Sequence, residues 1–214
     1  MTEPNKSRPP GWLRSILNLD EEVTKKFVVW GNGLSPLHSL RLHYKALEIT
    51  CHGIPWLAFW LSLNWLFNCP DLIPLQINIL CALILDIVVV GLVKAFFRRR
   101  RPIGNKNDAF VQIGPDNYSF PSGHTSRAAM IAYIFMFVWP ASIIFYPPML
   151  AWVVGLAMSR VLMERHYLLD VGGGILLGIL EGIVMNMLWL GDDTAKAIYN
   201  QFADEKIEGG EYHV

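Results

Sequence analysis

Three polar clusters lie between the apolar segments of this chain, and their side chains can bind an anion and move a proton. The first cluster contains Lys94 and Arg101, the second is residues 121–124 (Pro-Ser-Gly-His), and the third is residues 159–170. Arginine and lysine bind phosphate-like anions, and histidine exchanges a proton near neutral pH. These residue types together indicate chemistry on a phosphoryl group, provided that the fold brings the clusters together.

The second cluster predicts the start of a helix, because its Pro-Ser-Gly turn precedes a long apolar segment that begins near Ala128. The first N–H groups of a helix have no partner within it, and the helix dipole adds positive potential there. Such an end is a ready anion site, and His124 lies in it. An ordinary helix cap with an incidental histidine explains the same residues equally well. Whether this stretch is a functional site therefore depends on the other two clusters.

In the third cluster, His166 and Asp170 are four residues apart and share one face of a helix. An aspartate beside a histidine fixes its tautomer and favours its cation. Alone, the pair is equally typical of a cap at the end of a helix. If His124 reaches the same place, the three side chains resemble a nucleophile, an orienting acid and a general acid.

The basic residues suit a phosphoryl group, whose transfer depends mainly on positioning and on charge neutralisation. Lys94, Arg101 and Arg160 are the expected fixed cations, and arginine offers the fork geometry that a phosphate accepts. We interpret residues 98–100, three further arginines, mostly as a topological stop at the membrane surface.

The three acid–base candidates do not form a metal-ligand set. His124, His166 and Asp170 lack a supporting cluster of carboxylates, and the surrounding cations would repel a metal ion. We therefore predict metal-independent phosphoryl transfer with no cofactor.

The composition places these clusters in a membrane protein. Of 214 residues, 53% are hydrophobic and only 17% are charged, below the quarter that is usual for a soluble domain. The formal net charge is zero, which argues against nucleic acid as a partner.

Four regions follow along the chain. Residues 1–11 are polar and proline-rich and are predicted to be a disordered tail. Residues 12–50 predict two amphipathic helices at the membrane interface. Residues 51–192 form the predicted membrane domain, and residues 193–214 form an acidic tail.

The predicted fold is all-α, a polytopic bundle of about five transmembrane helices. The five apolar segments are residues 54–68, 74–97, 124–145, 149–163 and 171–190.

Two patterns inside these segments predict how the helices meet. Gly174, Gly178 and Gly182 recur every four residues, which is typical of close helix packing in membranes. Asp86 and Glu181 are acids within two different segments, and we expect them to form hydrogen bonds between helices.

The order of crossings brings the polar clusters to one membrane face. The second segment ends at residues 94–102, the third begins at residue 124, and the fourth ends at residues 159–170. Each of these points lies at the same side of the bundle, so the sequence predicts one shared site.

The spacing of the clusters resembles the three-part motif of the type 2 phosphatidic acid phosphatase superfamily. That superfamily includes lipid phosphate phosphatases, bacterial acid phosphatases and vanadium haloperoxidases. The matching strings are Lys94-x6-Arg101-Pro102, Pro121-Ser122-Gly123-His124 and Ser159-Arg160-x5-His166-x3-Asp170. The resemblance covers roughly residues 40–190 and implies the membrane phosphatase core of that superfamily.

The resemblance also implies roles for the motif residues. His166 would attack phosphorus and become phosphohistidine, Asp170 would orient it, and His124 would protonate the leaving oxygen. The phosphoryl oxygens would be held by Lys94, Arg101, Ser122, Gly123 and Arg160.

Flanking residues are similar to one subgroup, the polyisoprenoid (presqualene) diphosphate phosphatases. The similar stretches are residues 52–56, 98–102 and 118–129. This similarity implies presqualene, farnesyl or geranylgeranyl diphosphate as substrate, and the endoplasmic reticulum or nuclear envelope as location. A phosphatase for phosphatidic acid or another lipid phosphate monoester, and a non-catalytic membrane scaffold, remain alternatives. Five apolar segments disfavour a haloperoxidase.

Arg127 lies outside the motif, three residues after His124 and on the same helix face. A cation at the positive end of a helix is unfavourable unless an anion is near. One hypothesis is that Arg127 binds the distal oxygens of a diphosphate substrate. The other is that it extends to the membrane interface.

The distribution of basic residues predicts on which side of the membrane the active site lies. Residues 94–106 and the N-terminal segment are basic, which favours a cytosolic active site. The lipid phosphate phosphatases that the chain resembles usually place the site on the lumenal or outer face. The sequence predicts no oligomeric state.

Overall fold

The computed structural model describes residues 10–34, 41–66, 70–102 and 117–204. Within these ranges the chain is an all-α membrane bundle of eight α-helices, and the β pairing is an isolated bridge between Arg100 and Tyr118. The predicted fold class is confirmed. Residues 1–9 of the predicted disordered tail lie outside the described residues, and so do residues 103–116.

The α-helices are numbered in chain order. They are α1 Gly11–Gly33, α2 Arg41–Thr50, α3 Gly53–Leu66, α4 Ile73–Phe97, α5 Gly123–Tyr133, α6 Tyr146–Leu162, α7 Leu168–Met187 and α8 Asp192–Asp204. A π-helical segment, Ile134–Val138, continues α5, and short 3-10 helices, Pro70–Leu72 and Ile143–Phe145, precede α4 and α6.

In the described ranges, three helical segments are long and apolar enough to cross a membrane. They are α4, the segment Ile143–Leu162 that contains α6, and α7. The other two predicted crossings correspond to shorter helices, α3 with 14 residues and α5 with 11 residues plus its π continuation.

Helix α4 ends in a turn that shapes the site. Arg98 adopts a left-handed conformation with φ 49°, and its N–H donates to the Lys94 carbonyl at 3.0 Å. This geometry stops a helix and reverses the chain. The reversed segment then pairs with residues beyond the connection, since the Ser119 N–H donates to the Arg99 carbonyl at 2.8 Å.

Helices α5 and α7 make the tightest contact in the bundle, through the predicted glycine stripe. A Cβ atom on Gly174 would lie 2.6 Å from the Ser122 carbonyl oxygen, and one on Gly182 would lie 2.5 Å from the Tyr133 ring. A Cβ on Gly178 would collide with the Ser126 carbonyl. Glycine therefore lets the two backbones touch, as the spacing predicted.

The apolar core lies between α4 and α5. Ile79, Leu83, Met130 and Ile134 are fully buried there, and Trp60 of α3 covers them from one side. Burial of this surface fixes the two helices that carry Lys94 and His124.

The two helices predicted in residues 12–50 are α1 and α2, and both pack on the bundle. Val28 of α1 contacts Ala157 and Val161 of α6, and Leu47 of α2 packs beside Val153. The opposite side of α1 exposes large apolar side chains, including Trp12 and Trp30.

Helix α8 occupies the first part of the segment predicted as an acidic tail. Ala195 is fully buried against Ile73 and Ile77, with Ile198 and Tyr199 beside them. Residues 205–214, the rest of that segment, lie outside the described part of the chain.

Candidate active site

His166 lies in the turn between α6 and α7 and is 2% exposed. Its Nδ1 is 2.8 Å from the backbone carbonyl oxygen of Ser119. A carbonyl oxygen can only accept a hydrogen bond, so Nδ1 carries the proton. In the neutral ring, Nε2 is then the nitrogen with a free electron pair.

Burial keeps this imidazole neutral. Loss of solvent, with a smaller contribution from the charges of Arg101 and Lys94, lowers the pKa of His166 to about 4, although Asp170 acts in the opposite direction. As its spacing predicted, Asp170 favours the imidazolium cation, but the loss of solvent outweighs the carboxylate. Near neutral pH the His166 ring is therefore uncharged.

Asp170 lies at the N-terminus of α7 and is fully buried. Its Oδ2 is 3.8 Å from His166 Nδ1 and accepts the Tyr167 N–H at 2.9 Å. The direct partner of His166 is thus the Ser119 carbonyl, which sequence reasoning missed because any residue type supplies that group.

Arg99 occupies the other oxygen of this carboxylate. Its Nη1 is 2.8 Å from Asp170 Oδ1 and its Nη2 is 2.6 Å from Asp20 Oδ2. The guanidinium also lies 4.1 Å from the centre of the Tyr167 ring. The interpretation of residues 98–100 as mostly topological is therefore wrong for Arg99, which the reversal at Arg98 directs into the site.

The second cluster begins α5 as predicted and is tied to the third. Ser122 is the residue before the helix and makes no side-chain cap bond, while its N–H donates to the Asp170 carbonyl at 3.0 Å. The Ser122 and Thr125 hydroxyls are 2.9 Å apart. Gly123 is the first residue of the helix. These contacts hold the start of α5 against the start of α7.

His124 follows in the first turn of α5, within electrostatic range of His166 and Arg160. Its ring lies edge-on to that of His52, with 5.8 Å between the ring centres. The Cys51 thiol donates to the His124 carbonyl at 3.1 Å. Burial raises the pKa of Cys51 to about 12, so this thiol stays protonated and acts as a structural donor.

Arg160 reaches the site from the last turn of α6 and is 1% exposed. Its Nη1 is 3.1 Å from Glu48 Oε1 on α2, and the same oxygen lies 2.8 Å from Arg165 Nη1. Glu48 is a second residue that sequence reasoning missed, since nothing in its local pattern indicates a partner more than a hundred residues away.

Lys94 and Arg101 complete the cationic side of the site. Lys94 is 3% exposed in the last turn of α4, and both charges act on the His166 ring. The structure therefore brings residues of all three sequence clusters together at one end of the bundle.

Arg127 has its own partners inside the bundle. Its Nη2 pairs with the buried Asp86 carboxylate of α4, and its Nη1 donates to the Cys51 carbonyl at 2.9 Å. The proposed contact with a distal phosphate and the extension to the interface are both corrected, because a 7% exposed guanidinium already has an anionic partner inside the bundle.

The two acids inside the predicted spans have the interhelical partners that we expected. Asp86 of α4 pairs with Arg127 of α5, and Glu181 of α7 accepts from the Ser126 hydroxyl of α5 at 3.1 Å. We refer to these four side chains as the interior network.

Among the described residues, no group of three histidine, cysteine, aspartate or glutamate side chains could hold a metal ion. Metal independence remains a prediction.

Comparison with known proteins relates this geometry to a family. Residues 76–191 match the family model described as the PAP2 superfamily. The chain is 32% identical over 151 residues to "Probable lipid phosphate phosphatase beta" of Arabidopsis thaliana, an alignment that covers 59% of this chain and 70% of that protein.

Two solved structures are similar in fold. The crystal structure of Aquifex aeolicus LpxE aligns with a TM-score of 0.55 and 25% identity, over 75% of this chain and 92% of the other. The transmembrane PAP2-type phosphatidylglycerolphosphate phosphatase of Bacillus subtilis aligns with a TM-score of 0.55 and 21% identity, over 93% of this chain and 90% of the other.

Proposed function

From the premise that the chain belongs to the PAP2 superfamily, we propose that it hydrolyses polyisoprenoid diphosphates through a phosphohistidine intermediate, without a metal ion. The protein is an integral membrane phosphoric ester hydrolase.

The tautomer and the neutral charge of His166 are the observation that supports the proposed mechanism. Its Nδ1–H donates to the Ser119 carbonyl, and burial keeps the ring neutral. A neutral imidazole with Nε2 unprotonated is the form that can attack phosphorus. The fixed hydrogen bond also holds the ring in one orientation, so little reorganisation is needed for attack.

The reaction then proceeds in two displacements. His166 Nε2 forms a bond to the terminal phosphorus while the bond from phosphorus to the bridging oxygen breaks, and His124 gives its proton to that oxygen. Water next attacks the phosphohistidine, His124 takes the proton of that water, and inorganic phosphate leaves as His166 is regenerated. The proton that His124 gives stays on the leaving group and is replaced by one from water, so the enzyme is regenerated and one water molecule is consumed.

Cations stabilise the charge that spreads over the phosphoryl oxygens. Lys94 and Arg101 already act on the His166 ring, and Arg160 is held close by Glu48. The Ser122 hydroxyl and the Gly123 N–H are the proposed neutral donors at the start of α5.

Polyisoprenoid diphosphates are proposed because the residues that flank the motif are similar to that subgroup. Lipid phosphate monoesters are the second candidate, and the name of the Arabidopsis relative favours them. A non-catalytic scaffold is a weaker alternative, since the complete set of His124, His166 and Asp170 would have no use in it.

For location, we propose the endoplasmic reticulum or nuclear envelope with the site on the cytosolic face, as the basic residues near Lys94 indicate. A glycosylation tag inserted within residues 103–116 tests the side. An unmodified tag supports a cytosolic site, and a glycosylated tag overturns it.

The function itself is tested by phosphate release from purified protein in detergent with excess chelator. Farnesyl diphosphate and phosphatidic acid are compared at equal concentration in the detergent micelle, with His166→Ala as the control. We expect chelator-resistant release that is faster from the diphosphate and absent in the variant. Faster release from phosphatidic acid would instead select the monoester class, and no release from either would support the scaffold.

A further inference from the structure

Helix α1 places two buried polar side chains against the start of α7. Asp20 and Thr24 are 6% and 4% exposed, although the neighbouring Glu21 and Glu22 face solvent. A buried carboxylate is costly unless it has partners. The partners of these two side chains therefore show what this part of α1 does.

Both side chains accept hydrogen bonds from the backbone of α7. The Leu169 N–H donates to Asp20 Oδ1 at 3.0 Å, and the Leu168 N–H donates to Thr24 Oγ1 at 3.1 Å. These N–H groups belong to the first turn of α7, where no carbonyl of the same helix can accept them. Helix α1 thus caps, from a distant part of the sequence, the helix that carries Asp170.

The second oxygen of Asp20 fixes Arg99. Asp20 Oδ2 and Asp170 Oδ1 hold the two ends of the guanidinium at 2.6 and 2.8 Å, and Tyr167 covers its face. With Oδ1 bound to Arg99, Asp170 presents Oδ2 to the Tyr167 N–H and toward His166. A chain of ion pairs therefore runs from α1 to Asp170, whose Oδ2 lies 3.8 Å from Nδ1 of the proposed nucleophile.

We propose that Asp20 is a positioning residue of the active site, acting through Arg99 and the start of α7 on Asp170 and His166. The inference rests on the proposed phosphatase function of the same site. Asp20 lies outside residues 76–191, the part of the chain that matches the family model.

Asp20→Asn separates the two contacts of this side chain. The amide oxygen still accepts the Leu169 N–H, whereas one of the two carboxylate charges that balance Arg99 is lost. We expect kcat to fall by about 10- to 100-fold, the usual effect of losing a partner behind an active-site group, with KM changed less than about twofold. Glu22→Gln is the matched control, because Glu22 lies on the same helix, is mostly exposed and pairs only with Lys26 in the described contacts.

A double-mutant cycle distinguishes positioning from a general loss of packing. Asp20→Asn, Arg99→Gln and their combination are assayed for kcat and for the rate at which acid-trapped phosphohistidine forms. If Asp20 acts through Arg99, the double variant is no slower than the slower single variant. Losses that multiply, or an Asp20→Asn enzyme with the kcat of Glu22→Gln, would overturn the proposal.

The assays use whichever lipid phosphate the unchanged protein hydrolyses fastest, together with p-nitrophenyl phosphate, so a wrong substrate class leaves the test intact. If the unchanged protein hydrolyses none of them, the proposed function fails by itself. Hydrogen exchange then tests the contact: we expect faster exchange of the Leu168 amide in Thr24→Val and of the Leu169 amide in Asp20→Ala, relative to Glu22→Gln. Unchanged protection of both amides would overturn the capping role.

Discussion

The active end of the bundle, around His166, and the interior network contain the same residue types but serve different purposes. At the active end, Lys94 and Arg101 act on a neutral histidine, beside Arg99 and Arg160, which are themselves paired with carboxylates. In the interior network, Arg127 faces the carboxylate of Asp86. A site for an incoming anion therefore has more cations than carboxylates, whereas an internal ion pair has a carboxylate for its arginine.

Depth in the membrane accounts for much of this difference. Asp86 lies two helical turns from Lys94 on α4, or ~12 Å along the axis. A charge at that depth is retained only with a partner of opposite sign. At the end of the bundle, water and substrate can balance an excess of cations.

The largest expected effect is loss of the nucleophile. His166→Ala should lower kcat on the order of 10⁴-fold or more, because the variant lacks the unprotonated nitrogen that the hydrogen bond to Ser119 orients. The measurement is single-turnover phosphate release with acid trapping of the phosphoenzyme. A variant that still forms an acid-labile phosphoenzyme would place the nucleophile elsewhere.

The next effect distinguishes the interior network from the site. Arg127→Ala leaves Asp86 buried and unpaired, which should cost about 3–5 kcal/mol of stability, the usual penalty for breaking a buried pair. Thermal unfolding in detergent measures the loss. Removing both partners in Arg127→Met with Asp86→Leu should recover part of that stability.

The same variant also tests whether Arg127 contacts a diphosphate substrate. Per folded molecule, hydrolysis of diphosphate and of monophosphate should fall in the same proportion. A selective loss of diphosphate hydrolysis would return Arg127 to the substrate site.

A smaller effect is expected at the contact that joins the two regions. Gly178→Ala forces a methyl group against the Ser126 carbonyl and should destabilise the protein by about 1–3 kcal/mol. Gly172→Ala is the matched control, since a Cβ there meets no atom within 4 Å. Equal melting temperatures for the two variants would contradict the close approach of α5 and α7.

The smallest effect is the response of the site to moderate acid. Because burial lowers the pKa of His166 to about 4, the neutral fraction of its ring barely changes between pH 7 and pH 5. The acid limb of kcat/KM that belongs to the nucleophile should therefore lie near pH 4. A limb near pH 6.5 that matches the titration of His166 by histidine-selective NMR would contradict the burial argument.

Protein stability should follow the same pKa. The folded protein binds this proton less tightly than the unfolded chain, whose histidine has its ordinary pKa. The contribution of the His166 ring to the free energy of unfolding is therefore complete above about pH 6.5 and is lost as the pH falls toward about 4. Melting temperatures of the unchanged protein and His166→Ala should converge across that window.

Features that depend on local spacing were predictable from the sequence. The start of α5 at Gly123, the convergence of the three clusters and the glycine contact of α7 all follow from helix periodicity and the order of crossings. The membrane bundle itself follows from apolar segments that are long enough to cross.

Contacts between distant elements were not predictable in the same way. Asp20 and Glu48 lie on helices whose local patterns indicate only amphipathic character, and their partners depend on how those helices dock. Arg99 is half-buried and paired with Asp170 while its neighbour Arg100 is exposed, because the left-handed turn at Arg98 directs one side chain inward. Ser119 contributes a carbonyl that no residue type reveals.

The glycine contact between α5 and α7 also has a mechanical consequence. Membranes differ in thickness, and single helices adjust to them by tilting. Two helices whose backbones touch along about two helical turns must tilt together, because separating or sliding them would remove the contacts at Gly174, Gly178 and Gly182 at once. The spacing between His124 and Asp170 is thereby insulated from the thickness of the surrounding bilayer.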